Sequence, residues 1–311
     1  MPYTLRPAIY PDDYPPIVAL INAVSMKPTT VADLADGDQE FPEGSVLHRT
    51  VAVDERGQVV GLAEAYRFPN TKSGKFYVAA IVEEGHRRRG LGSTLLAHLE
   101  RFVAGHGATQ LTGYVRDDDS ASLAYVNGRG YQTERHGFVS ALDLGTWNPD
   151  PFVNVLPAVK ASGIRLFPMA DEPGEGTAQK LYELMSRTMV DIPGYEASQF
   201  MSFQTWSGWV LKHSGVENVL IAADGDRFVG VSIMNSEGDE LYTSHTSVEG
   251  AYRGRRIALA LKLAAIDVAR QRQVTRMTTG NDSLNQPILA VNRKLGYQPL
   301  VGEYEVVKRH N

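Results

Sequence analysis

The chain has 311 residues, which at about 150 residues per domain suggests two domains. With 43% apolar and 22% charged residues it has the balance of a globular chain, not of a fibre, a disordered tail or a disulfide scaffold. A net charge of −5 lacks the bulk positive field of nonspecific nucleic-acid binders, and the absence of cysteine excludes disulfides, thiolate nucleophiles and cysteine zinc sites.

The first residues, MPYTLRPAIYPDDYPP, carry prolines and acids where a signal peptide needs an apolar core. No apolar run approaches the ~18 residues that span a bilayer. The expectation is a soluble, cytoplasmic protein with no metal, membrane or nucleic-acid partner, as a monomer or homodimer.

The first half starts with a helix over Tyr14–Ala23. A strand, a Gly-containing turn and a second strand over 51–61 read as a hairpin. A further strand follows over Lys75–Val82, then the basic turn His86-Arg-Arg-Arg-Gly-Leu-Gly-Ser93. Leu91, Leu95, Leu99 and Val103 recur at helical spacing, and Gly105 and Gly107 end that helix. A strand (Gln110–Val115), a short helix and a closing strand (Phe138–Leu142) complete the unit, and the turn formers of Gly145–Pro151 mark a linker.

The second half repeats this order: helix Thr177–Val190, hairpin 220–230, strand Glu240–Val248, a basic turn, a helix striped by Ile257, Leu261 and Val268, strand Arg276–Thr279 and closing strand Tyr304–Val307. A shift of 166 pairs Val82 with Val248, Glu83 with Glu249, Arg87 with Arg253, Arg89 with Arg255, and Gly130-Tyr131 with Gly296-Tyr297. Copies of this size each enclose a core, so the expected domains are 1–147 and 161–311, joined by a linker over 148–160.

The basic turns join a strand end to a helix start. A first helical turn exposes unpaired N–H groups and partial positive charge, glycines permit close approach, and arginines add fixed cationic donors. The pattern suits a diphosphate. There is no GxxxxGK[ST], which disfavours a P-loop NTPase. Arg87-x-x-Gly90-x-Gly92, followed by Asp119…Leu123…Gly130-Tyr131 and, in the second half, Asn285…Leu289…Gly296-Tyr297, resembles the motifs of the GCN5-related N-acetyltransferases, the GNAT family. The duplication resembles its tandem members such as mycothiol synthase.

The resemblance implies two tandem α/β GNAT-like domains, each a mixed sheet whose fourth and fifth strands splay apart around acetyl-CoA. In the first site it assigns Arg87, Arg88, Arg89, Gly90, Leu91, Gly92 and Ser93 to the diphosphate, with Ile81 and Val82 beside pantetheine. In the second it assigns Ser247, Val248, Arg253, Gly254, Arg255, Arg256, Ile257, Ala258 and Asn285. Arg256 stands where the motif has its first glycine, a departure that puts the second turn in question.

Direct acetyl transfer to an amine needs a proton acceptor, an oxyanion donor and a proton for the leaving thiolate. The tyrosine the family uses as acid is replaced by Val126 and Asn292. Tyr125 is the nearest candidate, although one helical residue turns its side chain ~100° away. For the base, Glu64 and Glu240 lie on strands near the expected clefts, and Glu83 and Glu249 follow the fourth strand of each copy. His245 lies just before the second turn, where alternation puts it on one face with Ser247, and Ser244, Thr246 and Val248 on the other. Its counterpart is Ala79. The segment from Asp191 to Trp206 and Trp209 reads as a lid, an acceptor wall, a packed loop or the domain interface. The expected activity is N-acetylation of a primary amine of a small molecule. The alternatives are a non-catalytic acyl-CoA-binding or regulatory protein and a protein-lysine acetyltransferase.

Overall fold

The computed structural model describes residues 3–69, 71–195 and 200–310, apart from the side chains of Trp209, Leu211 and His213. The chain forms two units, Met1–His136 with Val301–Asn311, and Gly137–Leu300.

The first unit contains β1 (Thr4–Pro7), α1 (Tyr14–Asn22), α2 (Val31–Gln39), β2 (Val46–Val53), β3 (Val59–Arg67), β4 (Lys75–Val82), α3 (Leu91–Ala104), β5 (Gln110–Arg116) and α4 (Ser120–Asn127). The chain then enters β6 (Gln132–Asp143), most of which lies in the second unit. That unit continues with α5 (Val155–Ala161), β7 (Ile164–Pro168), α6 (Glu175–Thr188), α7 (Phe203–Ser214), β8 (Val219–Asp224), β9 (Arg227–Glu237), β10 (Glu240–Val248), α8 (Ile257–Gln271), β11 (Arg276–Asp282) and α9 (Gln286–Leu295). The last strand, β12 (Gln298–Arg309), returns to the first unit.

The strand orders are β1-β2-β3-β4-β5-β12 and β7-β8-β9-β10-β11-β6. Neighbours are antiparallel except β4–β5 and β10–β11. Each closing strand therefore comes from the other half of the sequence. Gly137–Asp143 pairs with β11, and Glu303–Arg309 pairs with β5. The expected boundary at 147 does not coincide with these units. Alternation specifies that a strand exists, but β5 and β11 offer equivalent edges, so pattern alone does not select the partner.

The expected linker over 148–160 also differs. Phe152, Val155 and Val159 are buried in the core of the second unit, and Trp147 donates from Nε1 to the Leu295 carbonyl at 3.0 Å. The segment read as a lid holds α7, whose Trp206 is 1% exposed and belongs to the core with Leu181, Leu184 and Ile221. Residues 196–199 of that segment and the Trp209 side chain lie outside the described residues.

In each unit the helix after the basic turn covers one face of that unit's own sheet. Leu91, Leu95, Leu99 and Val103 pack with Phe76 and Leu111, and Ile257, Leu261 and Ala265 pack with Val229 and Leu241. The opposite face of the first sheet is closed by Ile17 and Leu20 over Val51 and Leu62. In both units the parallel pair separates early. β4 bonds β5 only over Lys75–Tyr77, and β10 bonds β11 only over Glu240–Thr243. At the parting point of the first pair, a Cβ on Gly113 would lie 3.1 Å from the Val78 carbonyl oxygen, so a larger residue would push the strands further apart.

β10 is irregular where the first unit is regular. Its register with β9 shifts between Thr243 and His245, skipping Ser244. Leu241 and Val248 both reach the same core although seven positions apart, because the bulge changes the parity of the strand.

Lys262 occupies the position equivalent to Leu96. It is 1% exposed, and its Nζ has no hydrogen-bond partner among the described residues and lies 5.0 Å from the Tyr297 ring centre. Burial pushes its amine down to about 7. The folded value lies below the unfolded one, so this site's full contribution is present above about pH 10 and is lost as pH falls towards 7. Lys262→Leu is expected to stabilise the chain at pH 7 by a few kcal/mol. It is also expected to remove the rise in melting temperature that the unsubstituted chain shows between pH 7 and 10; thermal melts across that range check both.

Candidate functional site

Each basic turn is built around two left-handed backbone positions. In the first unit they are Arg88 (φ 59°) and Gly90 (φ 83°); in the second they are Gly254 (φ 78°) and Arg256 (φ 62°). Glycine and arginine have exchanged places while the path of the chain is kept. Arg256 sits at ψ 13°, on the low-ψ side of the small left-handed region that ordinary residues enter at roughly 1–2 kcal/mol. A Cβ on Gly90 would meet nothing within 4 Å, so space does not demand glycine there. The departure at Arg256 leaves the turn intact.

After the turn, Thr94 N–H is the first to bond back, to the Gly90 carbonyl at 3.1 Å, and Ala260 N–H bonds the Arg256 carbonyl at 2.9 Å. The N–H groups of Leu91, Gly92 and Ser93, and of Ile257, Ala258 and Leu259, precede these bonds and have no partner within their helix. A Cβ on Gly92 would contact Val82 at an ordinary 3.7 Å, which explains why Ala258 fits the same place. Arg87 and Arg253 brace their turns from Nε to the strand-end carbonyls of Val82 (3.0 Å) and Val248 (3.3 Å). Arg253 also pairs with Asp191. Arg255 lies over the Tyr252 ring at 4.8 Å.

In the second unit the turn opens into a cavity of about 490 Å³, within the range of roughly 300–1,000 Å³ usual for small-molecule sites. Ser247, Val248, Arg253, Gly254, Arg256, Ile257, Ala258 and Asn285 all line it; Arg255 does not. The cavity also takes in residues that sequence reasoning missed: Thr188 on α6, and Pro287, Ile288, Val291 and Lys294 on α9. Asp191, Ile192 and Pro193 are the part of the expected lid segment that reaches it. Cations and open N–H groups at one side and apolar walls beside them fit a diphosphate that carries an apolar arm. Among the described residues no group of three or more His, Asp or Glu could hold a metal ion.

The candidate bases and acids lie in different surroundings. His245 Nε2 is 2.9 Å from Ser247 Oγ, which is 2.9 Å from Thr188 Oγ1. Burial pushes the imidazole down to about 4, so it is neutral at physiological pH. Glu240 accepts from Arg276 at 2.8 Å at the far end of β10, roughly 17 Å along the strand from His245. Glu249 is held by Arg227, and Glu83 is exposed with His86 3.7 Å away.

Glu64, opposite Ala79, is paired with Arg49, which also binds Asp38 at 2.5 Å. Burial opposes that guanidinium's charge, but the two carboxylates outweigh it and hold its pKa above the usual value. Tyr125 places its hydroxyl 3.3 Å from Ser93 Oγ, which also accepts from Arg129 at 2.6 Å. It therefore stands at the helix start, where the diphosphate end of a ligand is expected. Ile81 and Val82 end β4, with Ile81 against the α1 cluster and Val82 against the α3 cluster. Asn292 is 2% exposed and donates to Asn281 at 2.7 Å, away from the cavity walls.

The acetyltransferase (GNAT) family pattern matches residues 17–131 and 178–297. No curated protein matches the chain. Among solved structures, a GCN5-related N-acetyltransferase from Sphaerobacter thermophilus superposes with a TM-score of 0.71 at 18% identity, over 99% of this chain and 95% of that one. A tandem GNAT protein from the clavulanic acid biosynthesis pathway gives 0.67 at 20% identity, over 99% and 98%. A GCN5-related glucosamine N-acetyltransferase region of a fungal GH3 β-N-acetylglucosaminidase gives 0.70 at 15%, covering 98% of this chain and 38% of that one. These likenesses are of fold. The family pattern falls once on each half and covers most of the sequence, so the chain belongs to the GNAT acetyltransferase family as a tandem pair of GNAT domains.

Proposed function

We propose that the chain is an N-acetyltransferase that moves an acetyl group from acetyl-CoA to a primary amine of a small molecule, and that its C-terminal half performs the transfer. The observation that carries this reading is the cavity of the second unit, which joins the open helix start to Ser247, the hydrogen-bond partner of His245. Ile257, Ala258 and Leu259 N–H, with Arg256 and Lys294, would hold the diphosphate. The unpaired edge of β10 beyond Thr243 leaves backbone groups free for the pantetheine amides.

Acetyl-CoA supplies a thioester, which the amine converts to an amide as the C–S bond breaks and CoA leaves. His245 takes the proton of the attacking amine. A buried imidazole is a weak base alone, but its cation is favoured once negative charge develops beside it. The first unit has Ala79 and Ile81 where the second has His245 and Ser247, so its turn is read as a second acyl-CoA site without the transfer machinery. A non-catalytic, acyl-CoA-binding role is the competing reading, favoured by the Asp191 carboxylate on Arg253 and by Asn292 and Val126 in place of the family's tyrosine.

Thiol release measured over a panel of primary amines separates the two: the enzyme reading expects turnover with at least one amine, and binding of acetyl-CoA without turnover on any favours the rival. With an active amine, His245→Ala is expected to lower kcat by about 100-fold, with little change in acetyl-CoA affinity.

Arg256→Gly keeps the left-handed turn and removes only the guanidinium. Acetyl-CoA affinity at the second site is expected to fall by about 10-fold with no loss of melting temperature. Gly90→Asp is expected to abolish uptake at the first turn and leave thiol release intact. Calorimetric stoichiometry beside steady-state kinetics reads both, and loss of turnover in Gly90→Asp alone would move the chemistry to the first unit.

A further inference from the structure

A neutral imidazole accepts a proton only through the ring nitrogen that carries none, so the tautomer of His245 decides which of its nitrogens is free to accept one. Three contacts bear on it. Thr188, the last residue of α6, is buried, and its hydroxyl reaches the Leu184 carbonyl at 3.1 Å. Its oxygen is 2.9 Å from Ser247 Oγ, and Ser247 Oγ is 2.9 Å from His245 Nε2.

A carbonyl only accepts, and a hydroxyl has one proton to give. With the Thr188 proton on Leu184, the contact between the hydroxyls is one that Ser247 donates. Ser247 then has only lone pairs left for His245, so Nε2 must carry the hydrogen. Nδ1 has no hydrogen bond among the described residues.

We propose that Thr188 is a positioning residue that acts through Ser247 to hold His245 with Nε2 protonated, leaving Nδ1 as the atom that takes the proton of the acceptor amine. The proposal rests on the reading of His245 as the base. In the balanced step the amine nitrogen bonds the acyl carbon and its proton moves to Nδ1. The electron pair of the broken C–S bond leaves on sulfur, and Nδ1 then returns the proton to that sulfur. The first unit has no such chain, since Ala79 and Ile81 occupy the places of His245 and Ser247. The bulge at Ser244 resets the strand's alternation, after which His245 and Ser247 face Thr188 together.

The test is a long-range 1H–15N spectrum of the full chain labelled at histidine, with His245 assigned by the signals lost in His245→Gln. The unsubstituted protein is expected to show the Nε2–H pattern. Thr188→Val should shift it towards Nδ1–H, because Ser247 is then free to donate to the ring, and Thr188→Ser should restore it. Ser247→Ala gives a second break in the chain if Thr188→Val does not fold.

An Nδ1–H pattern in the unsubstituted protein, or a spectrum indifferent to both Thr188→Val and Ser247→Ala, overturns the proposal. In the transfer assay Thr188→Val is expected to lower kcat about 10-fold with KM for acetyl-CoA unchanged, and Thr188→Ser to recover it. A tautomer that shifts while kcat stays constant would uphold the positioning by Thr188 and remove His245 from the chemistry, so the two failures are told apart.

Discussion

A peptide N–H at the start of a helix has no carbonyl to bond, and both halves of this chain aim three such groups past the free edge of a strand. That orientation depends on two left-handed residues that turn the backbone sharply between strand and helix. The rest of each unit serves this bend. Apolar helix faces clamp α3 and α8 onto their sheets, the early parting of the parallel pair leaves a strand edge unpaired beside it, and an arginine ties the turn to the strand end. The bend needs backbone conformation more than residue identity, which is why arginine and glycine can trade places across the two copies.

The copies have diverged in what surrounds the bend. The second places polar side chains on the open strand, where His245, Ser247 and Thr188 form a connected row, and its α9 brings Lys294 to the cavity. The first keeps that strand apolar at Ala79 and Ile81 and commits Glu64 to Arg49. The two turns follow the same backbone path although the strands before them carry different side chains.

The strand, turn and helix around each bend were legible because hydrophobic spacing and the constant offset of 166 are local facts of the sequence. His245 and Ser247 share a face because two residues make one period of a strand. The bulge at Ser244 was not legible, since nothing in Tyr242–Ser247 announces an unpaired residue. Thr188 was not legible either, lying 59 residues from the serine it touches. The segment 148–160 looked like a linker because Asn148, Pro149 and Pro151 are turn formers, whereas Phe152, Val155 and Val159 following them decide its burial. Glu64 and Glu240 were recognised as carboxylates on strands, but the arginines that hold them, Arg49 and Arg276, sit on other strands that only folding brings near.

The crossed closing strands govern how the molecule is made. In the observed pairing the outer edge of β5 is closed by residues 303–309, so that edge awaits a segment made long after β5 itself. The second sheet takes its edge from 137–143, which are made first and must wait for β11. In the observed pairing each sheet is closed by a strand far away in the sequence, a contact of the kind that loop-closure entropy makes slow to form.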